Sequence, residues 1–226
     1  MLQFRGYIMK IEYFFRLIIL FLISIVFAYN AWAKLTPKQA EHWANSKGQE
    51  ILRILAAPTN EQKYAALDKI LAEDVDLNYA AKFAVGKYWR NMNQQQQEKY
   101  VSLFKRYAAA LYKNYPLDIS EGMVNFSINK VIAEKNIINV YGKIFLNANN
   151  AEFAENQGFN VLFVLAENNE HPQVRDLKVE ESSLLISFRD RFYKMIHQDN
   201  DDEIDWFLED FEALIVDAEL INQHKL

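Results

Sequence analysis

The chain has no cysteine and, among 226 residues, only six glycines and four prolines. Without cysteine there is no disulfide to staple the fold and no thiolate to serve as nucleophile or zinc ligand. So few flexible and helix-breaking residues leave no room for a long linker or a disordered mature chain. Histidine is scarce as well: His42, His171, His197 and His224 are the whole set, and none stands in HExxH spacing. A Gly-rich phosphate loop and a GxSxG nucleophile elbow are also missing. Positive charge is in deficit, with 25 Lys and Arg against 30 Asp and Glu and a net charge of −5. An acidic chain of this kind should not bind nucleic acid or an anionic membrane by charge. Catalytic and metal-binding machinery is thus not expected, and neither is a cofactor.

What is present begins with an export signal. Met9, Lys10 and Arg16 flank an apolar run from Leu17 to Ala28, which ends near Ala31-Trp32-Ala33, small residues at the two positions a signal peptidase reads. The run is only moderately shorter than a spanning helix, so an uncleaved anchor is the alternative. No polybasic stop-transfer segment follows it, which favours cleavage after Ala33. Met1 and Met9 are both possible starts. Cleavage removes three basic residues and one acidic residue, taking the net charge from −5 to −7. The expectation is a signal peptide over 1–33 and one domain over 34–226, long enough for a sizeable core.

The first half of that domain reads as helical. Thr36, Pro37 and Gln39 open a helix to about Ala56, and Thr59 with Gln62 opens a second, to about Glu73. A short helix from Asp76 ends near Gly86, and Asn93 caps a long one to about Tyr115, closed by Pro116. Tyr100, Phe104, Tyr107 and Leu111 form one apolar stripe on the long helix. The period then changes to two: strands are expected over Val124–Ile132, Ile138–Leu146, Phe159–Leu165 and about Val174–Leu184. A helix from Ser187 to His197 with Phe188, Phe192 and Ile196 on one side follows. A last helix from about Asp202 carries Ile204, Leu208, Phe211 and Ile215. The order predicts an α+β fold, with N-terminal and C-terminal helices around a twisted antiparallel sheet of about four strands.

The third strand does not alternate: Val161, Leu162, Phe163, Val164 and Leu165 are all apolar, so both of its faces are expected to be dry. It is either sandwiched between two helical layers or has one face on helices and the other on an apolar cavity. Asp176 and Arg189 suit a catalytic acid and an electrostatic stabiliser, or a structural ion pair between the fourth strand and the next helix. With no base or nucleophile beside them, the ion pair is expected. Tyr88 and Trp89 either line a pocket or pack the short helix onto the long one.

Two stretches carry a resemblance. In DLNYAAKFAVGKYWRNMNQQQQEKYVSLFKRYAAALYKNY the matching positions are Asp76, Gly86, Tyr88, Trp89, Arg90, Gln97, Phe104 and Tyr115. In VRDLKVEESSLLISFRDRF they are Asp176, Val179, Ser183, Leu184, Arg189 and Phe192. In this order, behind an export signal, the two stretches resemble the MlaC family of periplasmic lipid carriers. The chain departs from the family pattern at Gln173 and Val174, where a tryptophan is usual, and at Glu181, where a glycine is.

The resemblance implies helices wrapped on a sheet around a cavity that holds phospholipid tails as cargo. It also implies transport through the periplasm between an inner-membrane ABC-type transporter complex and an outer-membrane lipoprotein complex, maintaining outer-membrane asymmetry. Cavity residues are then expected on the apolar faces: Phe83, Tyr88, Tyr107, Leu111, Val161, Phe163, Leu165, Leu184, Phe188 and Phe192. The alternatives are an envelope enzyme using a cone-shaped cavity for isomerisation or hydrolysis, a hopanoid-type lipid carrier, and an envelope interaction protein without ligand.

Overall fold

Local capping chemistry sets where the helices begin. The computed structural model describes residues 35–114, 124–146, 158–168 and 171–223. The expected export signal over 1–33, and Tyr115 and Pro116 at the close of the long helix, lie outside these residues. Helix α1 (Pro37–Leu55) starts with a full capping box: Gln39 N donates to Thr36 Oγ1 at 3.3 Å, and Thr36 N donates to Gln39 Oε1 at 2.9 Å. Helix α2 (Asn60–Asp74) has only the forward half of such a box, Gln62 N to Thr59 Oγ1. Helix α3 (Leu77–Val85) is capped by the Asp76 carboxylate, which accepts from Tyr79 N at 3.1 Å. Helix α4 (Gln94–Lys113) has the reciprocal pair Asn93 and Gln96, both bonds at 2.9 Å.

Between α3 and α4 the chain makes a 3₁₀ turn over Gly86–Arg90. Gly86 has φ +49°, and a Cβ there would collide with the Tyr193 hydroxyl. Only glycine meets both the left-handed backbone and the close approach.

Five strands follow: β1 (Val124–Glu134), β2 (Ile137–Leu146), β3 (Gly158–Asn168), β4 (His171–Val179) and the two-residue β5 (Ser182–Ser183). They pair in sequence order, all antiparallel, as an open meander. The sheet thus has one strand more than expected. The run read as one strand to Leu184 breaks at Glu180, which adopts φ +52° and is held there by Asn160. Asn160 N donates to Glu180 Oε1 at 2.7 Å, and Glu180 N donates to Asn160 O at 2.8 Å. The chain reverses and Ser182–Ser183 pairs back on β4. Helix α5 (Leu184–Lys194) starts at once, widens into a π turn over Met195–Asp199, and is followed by α6 (Ile204–Gln223). No helix among the described residues is long and apolar enough to cross a membrane.

The larger core lies among α3, α4, α5 and α6. Tyr100, Phe104, Tyr107, Phe192, Phe207 and Phe211 are buried there against Ala81, Ala84 and Val85. A smaller cluster joins Ala40 and Ala44 of α1 to Ile138, Val140 and Leu165 of the sheet. The β3 residues Val161 and Leu165 are buried. Leu162 and Val164 on the opposite face are only half-buried, so that face is less dry than expected. Their cross-strand neighbours include Tyr141 and Lys178.

Candidate ligand cavity

Between the two clusters the side chains fail to meet. Helix α1 presents Trp43, Ala44, Gly48, Ile51, Leu52 and Leu55 toward the sheet, at steps of three and four. Gly48 lets α1 approach β1 closely: a Cβ there would stand 2.5 Å from a Phe126 ring atom. Ile70 and Leu71 of α2 and Ala108 and Leu111 of α4 face the same space from other sides. The sheet contributes Phe126, Ile144, Phe163 and Leu177, and α5 contributes Leu184, Leu185 and Phe188. Together they bound a cavity of about 750 Å³, walled almost entirely by carbon. That volume lies within the usual range for ligand sites of roughly 300–1,000 Å³. Trp43, Ile51, Leu55, Leu111, Phe126 and Phe163 remain half-buried although they point inward. Part of their apolar surface faces the cavity.

Polar ties join the walls. Lys47 Nζ on α1 lies 2.7 Å from Asp74 Oδ2 on α2, where Asp74 is buried. Burial alone would lower the Lys47 pKa; hydrogen bonds and charge from Asp74 and Glu50 outweigh it and hold the ammonium above its ordinary value. Tyr112 and Lys113 at the end of α4 both bond Asp68 on α2, the lysine at 2.9 Å. Burial, then the Asp68 carboxylate, push the Tyr112 hydroxyl well up, so it remains a neutral donor. His171 Nε2 and Gln173 Nε2 contact Glu73 O at 2.9 and 3.0 Å, pinning β4 to the end of α2.

Asp176 also lines the cavity, but both its oxygens are engaged in structure. Oδ2 accepts from the Ser183 hydroxyl at 2.7 Å and Oδ1 from Leu185 N at 3.1 Å. It therefore caps α5 from the neighbouring strand, at the helix end where a carboxylate is favoured. No group of three or more His, Asp or Glu able to hold a metal occurs among the described residues.

The sequence model described as MlaC protein matches residues 45–213. The chain belongs to the MlaC family. Among solved structures, it is similar to a phospholipid-binding protein from Ralstonia solanacearum, determined in complex with a phospholipid. The TM-score is 0.62 at 15 % sequence identity, covering 78 % of this chain and 98 % of the other. At that identity the likeness concerns the fold. No curated protein matches the chain.

Within this MlaC fold the ten expected cavity residues divide. Tyr107, Leu111, Phe163, Leu184 and Phe188 lie on the cavity wall. Phe83, Tyr88, Val161, Leu165 and Phe192 do not. Phe83 stacks on Tyr79 outside the cavity, with the Arg189 guanidinium 5.4 Å from its ring centre. Tyr88 turns toward the loop before α6 and donates to Asp202 Oδ1 at 2.6 Å. Val161 is buried in the sheet between Gly142 and Val179, and Leu165 packs under α1. Phe192 sits at the centre of the aromatic core, 4.9 Å from the Phe211 ring. For Phe192 the cause is helical phase. Leu184, Phe188 and Arg191 of α5 share the cavity side, Leu185 borders both cavity and core, and Phe192 and Ile196 turn toward the core.

The expected ion pair between Asp176 and Arg189 is not formed. Asp176 serves the α5 cap, whereas Arg189 lies over the Phe83 and Tyr193 rings and donates to Tyr193 Oη at 3.4 Å.

The walls from α1 and α2 were not foreseen. The step pattern of Ala44, Gly48, Ile51, Leu52 and Leu55 was the available signal.

Proposed function

We propose that this protein is a non-enzymatic carrier that shelters phospholipid tails in the cavity and takes lipid across the periplasm. The route runs between an inner-membrane ABC-type transporter complex and an outer-membrane lipoprotein complex, after removal of residues 1–33. Membership of the MlaC family and the phospholipid held by the Ralstonia protein support the reading. The observation that carries it is the unfilled apolar cavity of about 750 Å³.

Exposing one CH₂ to water costs about 0.8 kcal/mol, so a two-tailed lipid with roughly thirty such groups faces on the order of 20 kcal/mol in crossing water unaided. A dry slot removes most of that cost without breaking a bond. Its walls should grip by area rather than by one polar contact, so that the cargo can leave again. No cofactor is needed for this, and the lipid is cargo.

The test is organic extraction of protein purified from a bacterial host, followed by mass spectrometry. Phospholipid in near-stoichiometric amount is expected. Ala108→Trp, which puts an indole into the cavity from α4, should lower it more than tenfold while the protein stays folded. Wild-type protein that carries no lipid would refute the reading. The intact mass of the same sample reports whether 1–33 has been removed.

A further inference from the structure

The burial pattern around the cavity locates its mouth. Of the described lining residues only Leu184, Ser187 and Arg191 are exposed, and all three lie along one edge of α5. Every other described lining residue, on α1 to α4 and on the sheet, is half or fully buried. A molecule with its apolar part in the cavity therefore emerges beside α5.

The charges in the lining are unequally matched. Lys47 is paired with Asp74 at 2.7 Å, and Arg175 Nε with Asp76 at 3.1 Å. The Asp176 carboxylate is taken by Ser183 and the N-terminus of α5. The third cation, Arg191, has no carboxylate within 4.0 Å among the described residues. Its guanidinium lies 5.4 Å from the ring centre of Tyr107. A guanidinium beside a ring keeps N–H groups available for the two parallel hydrogen bonds through which arginine binds phosphate. So a cation with no carboxylate partner among the described residues stands at the exposed edge of an apolar cavity, in a chain whose net charge is −5.

We infer that Arg191 is the head-group anchor of the cavity, engaging the anionic phosphodiester of a lipid whose tails run inward beneath α1 and α2. The inference rests on the phospholipid reading above and adds an orientation and a residue that discriminates ligands. Leu184 and Ser187 flank the glycerol region on the same edge.

Two lipids with identical tails separate head-group recognition from tail burial: dioleoylphosphatidylglycerol and dioleoylglycerol, competed for delipidated protein. The wild type should prefer the phospholipid by about tenfold, equivalent to one charge-assisted contact. Arg191→Gln should abolish the preference, and Arg191→Lys should retain part of it. The site is exposed, so both variants should fold, and a thermal melt confirms it. sn-Glycerol 3-phosphate, which has the phosphate without tails, should displace neither lipid at millimolar concentration. Displacement by it would overturn the inference in favour of a free-phosphate site. An unchanged preference in Arg191→Gln, or a wild type that holds both lipids equally, would overturn the role of Arg191 and leave the carrier reading standing. A wild type that holds neither lipid would remove the carrier reading itself.

Discussion

Helix α4 borders two regions built on opposite plans. On one side Tyr100, Phe104 and Tyr107 interlock with Phe192, Phe207 and Phe211, rings meeting mostly tilted or edge to face at 4.9 to 6.1 Å. On the other, Ala108 and Leu111 look across empty space toward Ala44, Gly48 and Phe126. Inside the filled side Tyr100 donates to Ala81 O at 3.0 Å, and burial pushes its hydroxyl pKa well up, so the tie is neutral. The hollow side is framed by charged ties, Lys47 to Asp74 and Lys113 to Asp68. In partly buried pairs of this kind the desolvation cost offsets much of the attraction, so each adds little stability. Their use is positional: they fix α2, which has little apolar surface of its own in the core, to α1 and α4 at the rim of the cavity. The difference shows how a small domain keeps an apolar void open. One rigid aromatic block carries the stability, and a second, aliphatic wall is braced at its rim.

The largest effect should come from cutting both regions in the same way. Phe192→Ala leaves a cavity in the filled block and should cost about 3–5 kcal/mol in denaturant unfolding. Phe163→Ala enlarges a void that already exists and removes a half-buried ring, so it should cost less than half as much. Equal losses at the two sites would mean that the wall is packed as tightly as the core, and the contrast would fail.

The helices were legible because their signals are local. Thr36, Thr59, Asp76 and Asn93 each cap a helix at the expected place. The strand period gave β1 to β3, and the turn between the first two falls at Lys135 and Asn136. The start of α5 was missed by three residues: its N-cap is Ser183, which accepts from Ile186 N at 3.1 Å, but Ser183 reads as part of the preceding strand because the turn at Glu180 uses a residue type that seldom adopts positive φ. The cavity wall was harder to read for a different reason. Ala44, Gly48, Ile51 and Leu52 form a stripe that looks the same whether side chains or empty space lie opposite. A void is a missing volume between distant segments, and no local pattern records it. Phe192 and Phe188 illustrate the limit. Four residues apart, they share a stripe in sequence, yet one is at the centre of the block and the other at its edge on the cavity.

A smaller effect tests the seam between the block and its outer turn. Gly86→Ala forces a side chain into φ +49° and against the Tyr193 hydroxyl, which also accepts from Lys87 N at 3.1 Å. A loss of about 1–3 kcal/mol is expected from the backbone and the displaced ring together. Because α3 and α5 meet here and not at the cavity, lipid content per folded protein should stay at the wild-type level. A variant that melts like the wild type would show that the turn relaxes freely and that the block does not depend on this contact.

The smallest effect is electrostatic and lies on the outer side of the block, where Tyr88 donates to Asp202 and His197 Nδ1 lies 3.1 Å from the same carboxylate. The Tyr88 hydroxyl, then His197, hold the Asp202 pKa below its ordinary 3.8. A carboxyl with a lowered folded-state value releases its proton more readily in the native state. Its contribution is therefore present above about pH 4 and is lost as pH falls through the lowered value. Burial, then the Asp202 charge, raise Tyr88 from 10.0 to about 12. The sign is the same as for any raised group: this contribution is complete below pH 10 and disappears as pH climbs toward 12. Asp202→Asn should flatten the acid limb of a melting-temperature profile, and Tyr88→Phe the alkaline limb. Both residues are remote from the hollow side, so neither change should alter lipid retention at neutral pH. An acid limb in Asp202→Asn as steep as in the wild type would remove this contact from the stability of the filled region.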